Sequence, residues 1–163
     1  MVHLRFNSLV YCDDVHMVSN MTKASILVAR AIFPEVLEML SQHFQVESNQ
    51  SDEVLSAEVL KQKMHGKVGA LTTGSERIDA ALLQANPQLK IVANMAVGFN
   101  NFDVPAMTAA GVLATNTPDV LTETTADFGF ALLMATARRI TESEHYLRQG
   151  LWTKWSYDMF AGA

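Results

Sequence analysis

The sequence predicts an α/β fold built on a parallel sheet. Three observations carry this prediction: nearly half of the 163 residues are hydrophobic, short apolar runs recur along the chain, and segments of helical periodicity separate them. A helix between two buried strands forms a right-handed crossover, which makes the strands parallel and covers the sheet with helices. We therefore expect a five-stranded parallel sheet with helices on both faces.

The five predicted strands are short apolar runs that end at polar or glycine-containing turns. In chain order they are "SILVAR", "FQVESN", "KVGALTTG", "LKIVANMAV" and "VLATNT". Most are apolar at successive positions, the pattern of strands that are buried on both faces. The second is the weaker strand signal.

Four helical segments connect these strands, and their ends carry recognisable signals. Pro34 opens "PEVLEMLSQHF", Ser56 can cap "SAEVLKQKM", "IDAALLQAN" follows the third strand, and Asp103 can cap "VPAMTAAG". Gly66 and Gly111 are placed to end two of these helices. The repeated alternation assigns residues 21–121 to one domain.

The pattern changes after the fifth strand. Residues 122–149 have the composition of a single long helix, and its middle, from Phe128 to Ala137, is apolar around nearly the whole circumference. Such a helix is normally enclosed by protein, so we expect a second domain or a second subunit to pack on it. Residues 150–163, the aromatic arm, contain Trp152 and Trp155, and such a cluster indicates either an interaction surface or an unfinished core.

Composition and charge exclude several classes. The formal net charge is −5, without the basic excess of a nucleic-acid-binding domain. No apolar run is long enough for a membrane span, and the only cysteine, Cys12, has no partner for a disulfide or a metal site. We expect a cytoplasmic protein. Residues 1–20 lack the periodicity of the rest, and we interpret them as a disordered or non-native leader before Met21.

Two strand ends stand out as a candidate site. Ligands of open parallel sheets bind outside the carboxyl ends of the strands, where this chain places Thr73-Gly74 and Val97-Gly98-Phe99. A glycine there either permits a tight turn or lets a ligand approach main-chain N–H groups, which can bind a carboxylate. The residues alone leave both interpretations open.

A family resemblance adds to this interpretation. The segments "GALTTG", "LKIVANMAVGFNNFDVPAMTAAGVLATNTPDVLTETTADFGFALLMATARR" and "GLWTKW" resemble the NAD(P)-dependent D-2-hydroxyacid dehydrogenases. Among these, the sequence is most similar to the bacterial glyoxylate/hydroxypyruvate reductases, also called 2-ketogluconate reductases. The resemblance implies a flavodoxin-like substrate domain that precedes a Rossmann domain, and it covers only this first part of the family pattern.

The resemblance also implies roles for individual residues. Val97, Gly98 and Phe99 would bind the substrate carboxylate, with Thr73 and Gly74 on the facing wall. Val97 would also lie near the nicotinamide end of NADPH or NADH. The long helix would connect the domains and pack in a homodimer, and Trp152 and Trp155 would reach toward the neighbouring subunit.

The family's catalytic arginine, glutamate and histidine have no counterpart in this sequence. None of the five histidines (His3, His16, His43, His65 and His145) occupies a matching position, and a GxGxxG fingerprint is absent. We interpret Arg138 and Arg139 as helix or domain-interface charges. We therefore expect no catalytic residue, no metal site, no tight cofactor binding and no activity in the isolated chain.

Two functional hypotheses follow. The first is the substrate domain of an oxidoreductase that reduces a small 2-keto acid, such as glyoxylate, hydroxypyruvate or 2-ketogluconate, and is truncated before its Rossmann domain. The alternative is a non-enzymatic module for dimerisation or for binding small carboxylates. The apolar long helix and arm favour the first, because a domain selected to stand alone would carry polar residues there.

Overall fold

The computed structural model describes residues 23–160, which contain five strands and six helices. In chain order these are β1 (Ser25–Val28), α1 (Pro34–His43), β2 (Gln45–Ser48), α2 (Ala57–Lys63), β3 (Gly69–Thr72), α3 (Ala80–Ala85), β4 (Ile91–Asn94), α4 (Val104–Ala109), β5 (Leu113–Thr115), α5 (Thr122–Ala137) and α6 (Ile140–Arg148).

The five strands form one parallel sheet in the order β2-β1-β3-β4-β5. The first connection runs one way along the sheet and the next three run the other way. Right-handed crossovers therefore place α1 on one face and α2, α3 and α4 on the other. This strand order is that of flavodoxin-like folds, and the predicted α/β architecture is confirmed.

The hydrophobic core lies within the sheet domain. Its largest fully buried apolar side chains are Leu27, Val28, Leu60, Met64, Ile78, Leu89, Val92 and Met107. The sheet is less well covered at its β4–β5 edge. Ile91 and Leu113 are paired in register there, and they are 39% and 67% exposed. One apolar patch of the sheet is therefore left uncovered by the described residues.

The predicted helix ends are found where the sequence places them. Pro34 is the first residue of α1, and the side chains of Ser56 and Asp103 accept hydrogen bonds from the N–H groups of the third helical residue, at 3.4 and 3.0 Å. Gly66 and Gly111 follow α2 and α4 with φ of +75° and +66°. These are left-handed conformations that glycine adopts without strain.

The predicted single helix over residues 122–149 is wrong, because the structure divides it in two. α5 ends at Ala137, and Arg139 adopts a left-handed conformation (φ +53°) before α6 begins. The Arg139 guanidinium pairs with Glu142 in the first turn of α6, at 2.6 Å, and lies 5.1 Å from the centre of the Phe160 ring. These contacts offset the cost of the conformation, and neither glycine nor proline marks the break in the sequence.

The two helices after the sheet contain no buried residue. In α5, Phe128 and Phe130 are 64% and 66% exposed. The arm turns back on α6, where the rings of Tyr146 and Phe160 meet edge to face, with centroids 5.3 Å apart. The apolar surface of α5 is thus uncovered by the rest of the described chain.

Some predictions concern residues that the structure does not describe, and others concern membrane-spanning helices and metal sites. The leader over residues 1–20 and Cys12 fall outside the described range. Within residues 23–160, no helix has the length and apolar character needed to cross a membrane. The same part of the chain contains no group of three or more side chains suited to holding a metal ion.

Candidate functional site

The predicted site residues lie at the carboxyl edge of the sheet. β3 ends at Thr72 and β4 at Asn94, and the Met95 N–H donates to the Thr72 carbonyl at 2.7 Å, which extends the pairing of the two strands to the edge. The Thr73-Gly74 loop and the Val97–Phe99 turn follow directly. The sheet therefore brings the two predicted loops to neighbouring positions.

Three successive carbonyl groups of the β4 turn are held by hydrogen bonds. The Ala96 carbonyl accepts from the Thr117 N–H at 3.0 Å, and the Val97 carbonyl accepts from Asn116 Nδ2 at 2.8 Å. The Gly98 carbonyl accepts from Asn94 Nδ2 at 2.9 Å. Each peptide plane in the turn is thus fixed on its carbonyl side.

The N–H groups of the same turn are not used within the protein. Among residues 23–160, the N–H groups of Val97, Gly98 and Phe99 donate to no acceptor. Gly98 is not in the left-handed region, and a Cβ added there would meet no atom within 4 Å. The described fold therefore does not require glycine at this position, and the space above the turn is open.

The Thr73-Gly74 loop is closed by a buried carboxylate. Glu76, which is 1% exposed, accepts from the Thr73 N–H at 2.7 Å and from its hydroxyl at 2.9 Å through Oε2. The hydrogen-bonding groups of Thr73 are therefore directed into the loop itself. Gly74 is exposed, with open space around its Cα, so it presents the accessible backbone of this wall.

Asn101 joins the two loops. Its Nδ2 donates to the carbonyls of Thr73 and Glu76, at 3.0 and 2.8 Å. Its Oδ1 also accepts a hydrogen bond from Asn94 Nδ2 at 3.2 Å. Thr72 Oγ1 donates to Asn94 Oδ1 at 3.1 Å. The strand ends of β3 and β4 are thus linked by one buried polar network.

A cation lies at the end of β1, next to this edge. Arg30 donates to Asp52 at 3.0 Å and to the Ser75 hydroxyl at 2.9 Å. The hydrogen bond from Arg30 holds the pKa of the Asp52 carboxyl below its ordinary value. Glu76 Oε1 is 4.0 Å from the guanidinium, beyond hydrogen-bonding distance, and has no hydrogen-bond partner in the described chain. The Arg30 guanidinium thus already donates hydrogen bonds to side chains of the protein.

One cleft borders Val97, and another lies at the end of β1. A cavity of about 520 Å³ is lined by Val97 and by the first turns of α5, at Leu121, Thr122, Thr125 and Ala126. A second, of about 330 Å³, is lined by Met95 and by the β1–α1 loop, at Ala31, Ile32, Phe33 and Pro34. The turn therefore has accessible space beside it, toward α5.

The predicted arm residues lie elsewhere. Trp152 lines an apolar cavity of about 270 Å³ on α6, and Trp155 is 76% exposed. The described histidines lie outside the Thr73-Gly74 loop and the Val97–Phe99 turn. His43 ends α1, His65 follows α2, and His145 lies in α6, where its Nε2 is 2.9 Å from Gln149 Nε2. The structure thus brings only the two loops together.

Sequence reasoning missed the polar residues that shape these loops. Asn94 and Asn101 carried a signal, because an amide at the end of an apolar strand and a repeated asparagine in the following turn need hydrogen-bond partners. Asn116 stands out in the same way after β5. Arg30 and Glu76 carried no comparable signal, since their pairing depends on loops that are 22 to 46 residues apart in sequence.

Comparisons with known proteins identify the family of the chain. Residues 26–152 match the model of the D-isomer specific 2-hydroxyacid dehydrogenase catalytic domain. The chain is 45% identical over 144 residues to a glyoxylate reductase of Thermococcus onnurineus, covering 86% of this chain and 43% of that protein. It is also 45% identical over 132 residues to a glyoxylate reductase of Thermococcus kodakarensis, covering 81% of this chain and 40% of that protein.

Solved structures show the same relationship. The NADPH-dependent glyoxylate/hydroxypyruvate reductase of Sinorhizobium meliloti, in complex with NADP and malonate, has a TM-score of 0.64 and 37% identity, over 80% of this chain and 40% of that one. The chain thus spans less than half the length of these relatives. Because the family model matches most of its residues, the chain belongs to the D-isomer specific 2-hydroxyacid dehydrogenases, in the region of their catalytic domain.

Proposed function

We propose that this chain is the substrate domain of an oxidoreductase that reduces a small 2-keto acid to the D-2-hydroxy acid. Glyoxylate, hydroxypyruvate and 2-ketogluconate are the substrates to consider, and NADPH or NADH is the hydride donor. The observation that carries the proposal is the Val97–Phe99 turn, whose carbonyls are bonded within the protein while its N–H groups lie unused at the carboxyl edge of the sheet.

The turn has the properties of a carboxylate site. Main-chain N–H groups bind anions when they are unpaired and accessible, and Val97 is 38% exposed. The open space over Gly98 supports ligand approach as the reason for a glycine, because its backbone conformation would accept a side chain. Val97, Gly98 and Phe99 are proposed to hold the substrate carboxylate, and Gly74 with Thr73 to form the facing wall.

The described residues fit one end of a nicotinamide cofactor. The 520 Å³ cavity between Val97 and the start of α5 could receive the nicotinamide ring, which supplies a hydride when it is bound. Val97 would then contact both substrate and cofactor, and the wall of α5 would exclude water. No glycine fingerprint for the pyrophosphate occurs in the sequence, so we propose that the chain alone does not bind the cofactor tightly.

Catalysis also needs groups that this chain does not place at the site. Protonation of a substrate carbonyl requires a positioned acid, and neither the Thr73-Gly74 loop nor the Val97–Phe99 turn contains a histidine. We therefore propose that residues 21–121 form the substrate domain, that residues 122–149 connect it to a cofactor domain, and that residues 150–163 are a subunit arm. The isolated chain would be inactive and would act in the cytoplasm only as part of the longer enzyme.

We also propose a homodimer through α5, α6 and the arm. The apolar circumference of α5 and the exposure of Trp152 and Trp155 support it. The same surface supports the alternative, a non-enzymatic module for dimerisation or for binding small carboxylates. An assay separates the two functions: when the sequence that follows residue 163 in the source genome is expressed with this chain, the enzyme hypothesis expects NADPH oxidation with glyoxylate or hydroxypyruvate, and the module hypothesis does not.

The carboxylate site is tested by Gly98→Ala in the 163-residue chain. The added methyl group meets no protein atom, so we expect the free energy of unfolding to change by less than about 0.5 kcal/mol. The methyl group would stand over the turn, so glyoxylate binding, followed by NMR titration of the Val97 and Phe99 amides, should weaken strongly. Gly129→Ala, also in open space but in α5, is the control. Unchanged glyoxylate binding by Gly98→Ala would contradict the proposed site.

A further inference from the structure

Two asparagine side chains donate hydrogen bonds to the carbonyl groups of the proposed carboxylate site. Asn116 Nδ2 donates to the Val97 carbonyl at 2.8 Å, and Asn94 Nδ2 donates to the Gly98 carbonyl at 2.9 Å. Neither asparagine is part of the turn: Asn94 ends β4 and Asn116 follows β5. Two neighbouring strands thus each contribute one amide to the same turn.

The geometry of the peptide group connects these bonds to the ligand side of the turn. A trans peptide is planar, and its C=O and N–H point in opposite directions. A hydrogen bond on the Val97 carbonyl therefore fixes the direction of the Gly98 N–H. A hydrogen bond on the Gly98 carbonyl fixes the Phe99 N–H in the same way. Each bond also polarises its peptide group, which makes the N–H a stronger donor.

Both asparagines are themselves held in place. Asn94 is 2% exposed, and its side chain also bonds to Thr72 and Asn101. Asn116 is half-buried, and the N–H of Thr117 beside it pairs with the Ala96 carbonyl. The positions of the two amides are therefore determined by the sheet and not by the mobile end of a long side chain. The turn is therefore preorganised before a ligand binds.

We infer that Asn94 and Asn116 are positioning residues for substrate binding, which orient the Gly98 and Phe99 N–H groups toward the substrate carboxylate. This inference rests on the proposed function, since it concerns the same carboxylate site. Preorganised donors bind an anion more strongly than donors that must first be ordered. Neither asparagine contacts the substrate in this scheme, and each acts through the peptide group that it holds.

Asn116 gives the sharper test, because Asn94 also links β3 to β4. We would titrate the ¹⁵N-labelled 163-residue chain with glyoxylate and follow the Gly98 and Phe99 amides. Asn116→Leu removes the donor at nearly constant size and is expected to weaken glyoxylate binding about tenfold, the usual effect of losing one positioned hydrogen bond. Before ligand is added, ¹⁵N relaxation should show that the Gly98 amide of the variant has become more mobile.

The control is an amide that makes the same kind of bond away from the site. Gln88 Nε2 donates to the Met64 carbonyl at 3.2 Å, before β4 begins. Gln88→Leu should leave the dissociation constant for glyoxylate within about twofold of the original, because it changes no group at the carboxyl edge. A loss of binding that merely followed from lower stability would appear in both variants.

The outcomes separate this inference from the proposed function. If the unmodified chain binds glyoxylate and Asn116→Leu binds it equally well, the positioning role is wrong and the carboxylate site stands. If the unmodified chain shows no shift of the turn amides with glyoxylate, both proposals fail. Should Asn116→Leu not fold, Asn116→Ala replaces it, since alanine also lacks the donor and adds no charge. Weakening of about tenfold or more by Asn116→Ala supports the inference, and unchanged binding overturns it.

Discussion

The sheet domain and the helical segment that follows it use similar apolar residues in opposite ways. From Ile26 to Val112, fifteen hydrophobic residues are buried. From Thr122 to Arg148, no residue of either helix is buried, although α5 is the more hydrophobic helix. The difference shows that apolar residues form a core only where a second apolar layer packs against them.

The physical reason lies in the connections. Each helix of the sheet domain is joined to strands at both ends, and crossovers of this kind return it to the sheet. α5 is joined to a strand only at its start, and its other end leads to α6 and the arm. The described residues therefore leave its apolar surface uncovered, which is the observation behind the proposed connecting or dimerisation role.

The comparison is tested most strongly by one substitution made in both regions. Leu27→Ala in β1 empties a fully buried position and is expected to lower the free energy of unfolding by about 3 kcal/mol. Leu132→Ala in α5, where the side chain is 52% exposed, should cost less than about 0.5 kcal/mol. Urea denaturation of dilute chain measures both. Equal losses would mean that α5 is covered in solution.

A second prediction concerns the polar side-chain network at the ends of β3 and β4. Asn94→Ala leaves the Thr72 hydroxyl and the Asn101 amide with fewer partners in a buried setting, so it should destabilise the domain by about 2 kcal/mol. Asn100→Ala, in the exposed part of the same turn, should have little effect. Thermal and urea unfolding of the two variants provide the comparison. Similar stability of both would argue against a tightly coupled network.

The third prediction addresses what covers α5. If a second copy of the chain packs there, Leu132→Glu should weaken self-association at least about tenfold, because a charge would be buried without a partner. Val54→Glu is the control, since Val54 is 66% exposed in the sheet domain. Sedimentation velocity over a range of concentrations measures the effect. Association that is unaffected by Leu132→Glu would place the dimer contact elsewhere.

The smallest expected effect is electrostatic and lies at the β2 edge. Glu47 pairs with Lys63 and Lys67, both at 2.9 Å, and hydrogen bonds from Lys67 and Lys63 lower its pKa from the ordinary 4.5. A lowered folded-state pKa contributes stability above pH 4.5, and this contribution is lost as the pH falls through the folded-state pKa.

Glu47→Gln should therefore cost about 0.5 kcal/mol at pH 7, a value kept small because the carboxylate is 40% exposed, and less at about pH 2. Glu38→Gln, at an exposed position without a cationic partner among the described residues, is the control. Urea unfolding at both pH values checks the sign. A larger loss of stability in acid than at pH 7 would contradict the predicted stabilisation by the Glu47 carboxylate.

The fold was predictable because it depends on local patterns that agree with one another. Apolar runs, caps at Ser56 and Asp103, and glycine at position 111 each act within a few residues. The break at Arg139 was missed for the opposite reason. Its left-handed conformation is supported by an aromatic ring 21 residues further along the chain, which no helical pattern records.

For the candidate site, the sequence by itself determined which loops lie at the carboxyl edge, since Thr73-Gly74 and Val97–Phe99 directly follow predicted parallel strands. Only the tertiary structure decided which hydrogen-bonding groups of those loops are used and which remain available. Asn116 reaches the Val97 carbonyl from another strand, 19 residues away. Partners of this kind are set by the packing of whole strands, and hydrophobic periodicity contains no information about them.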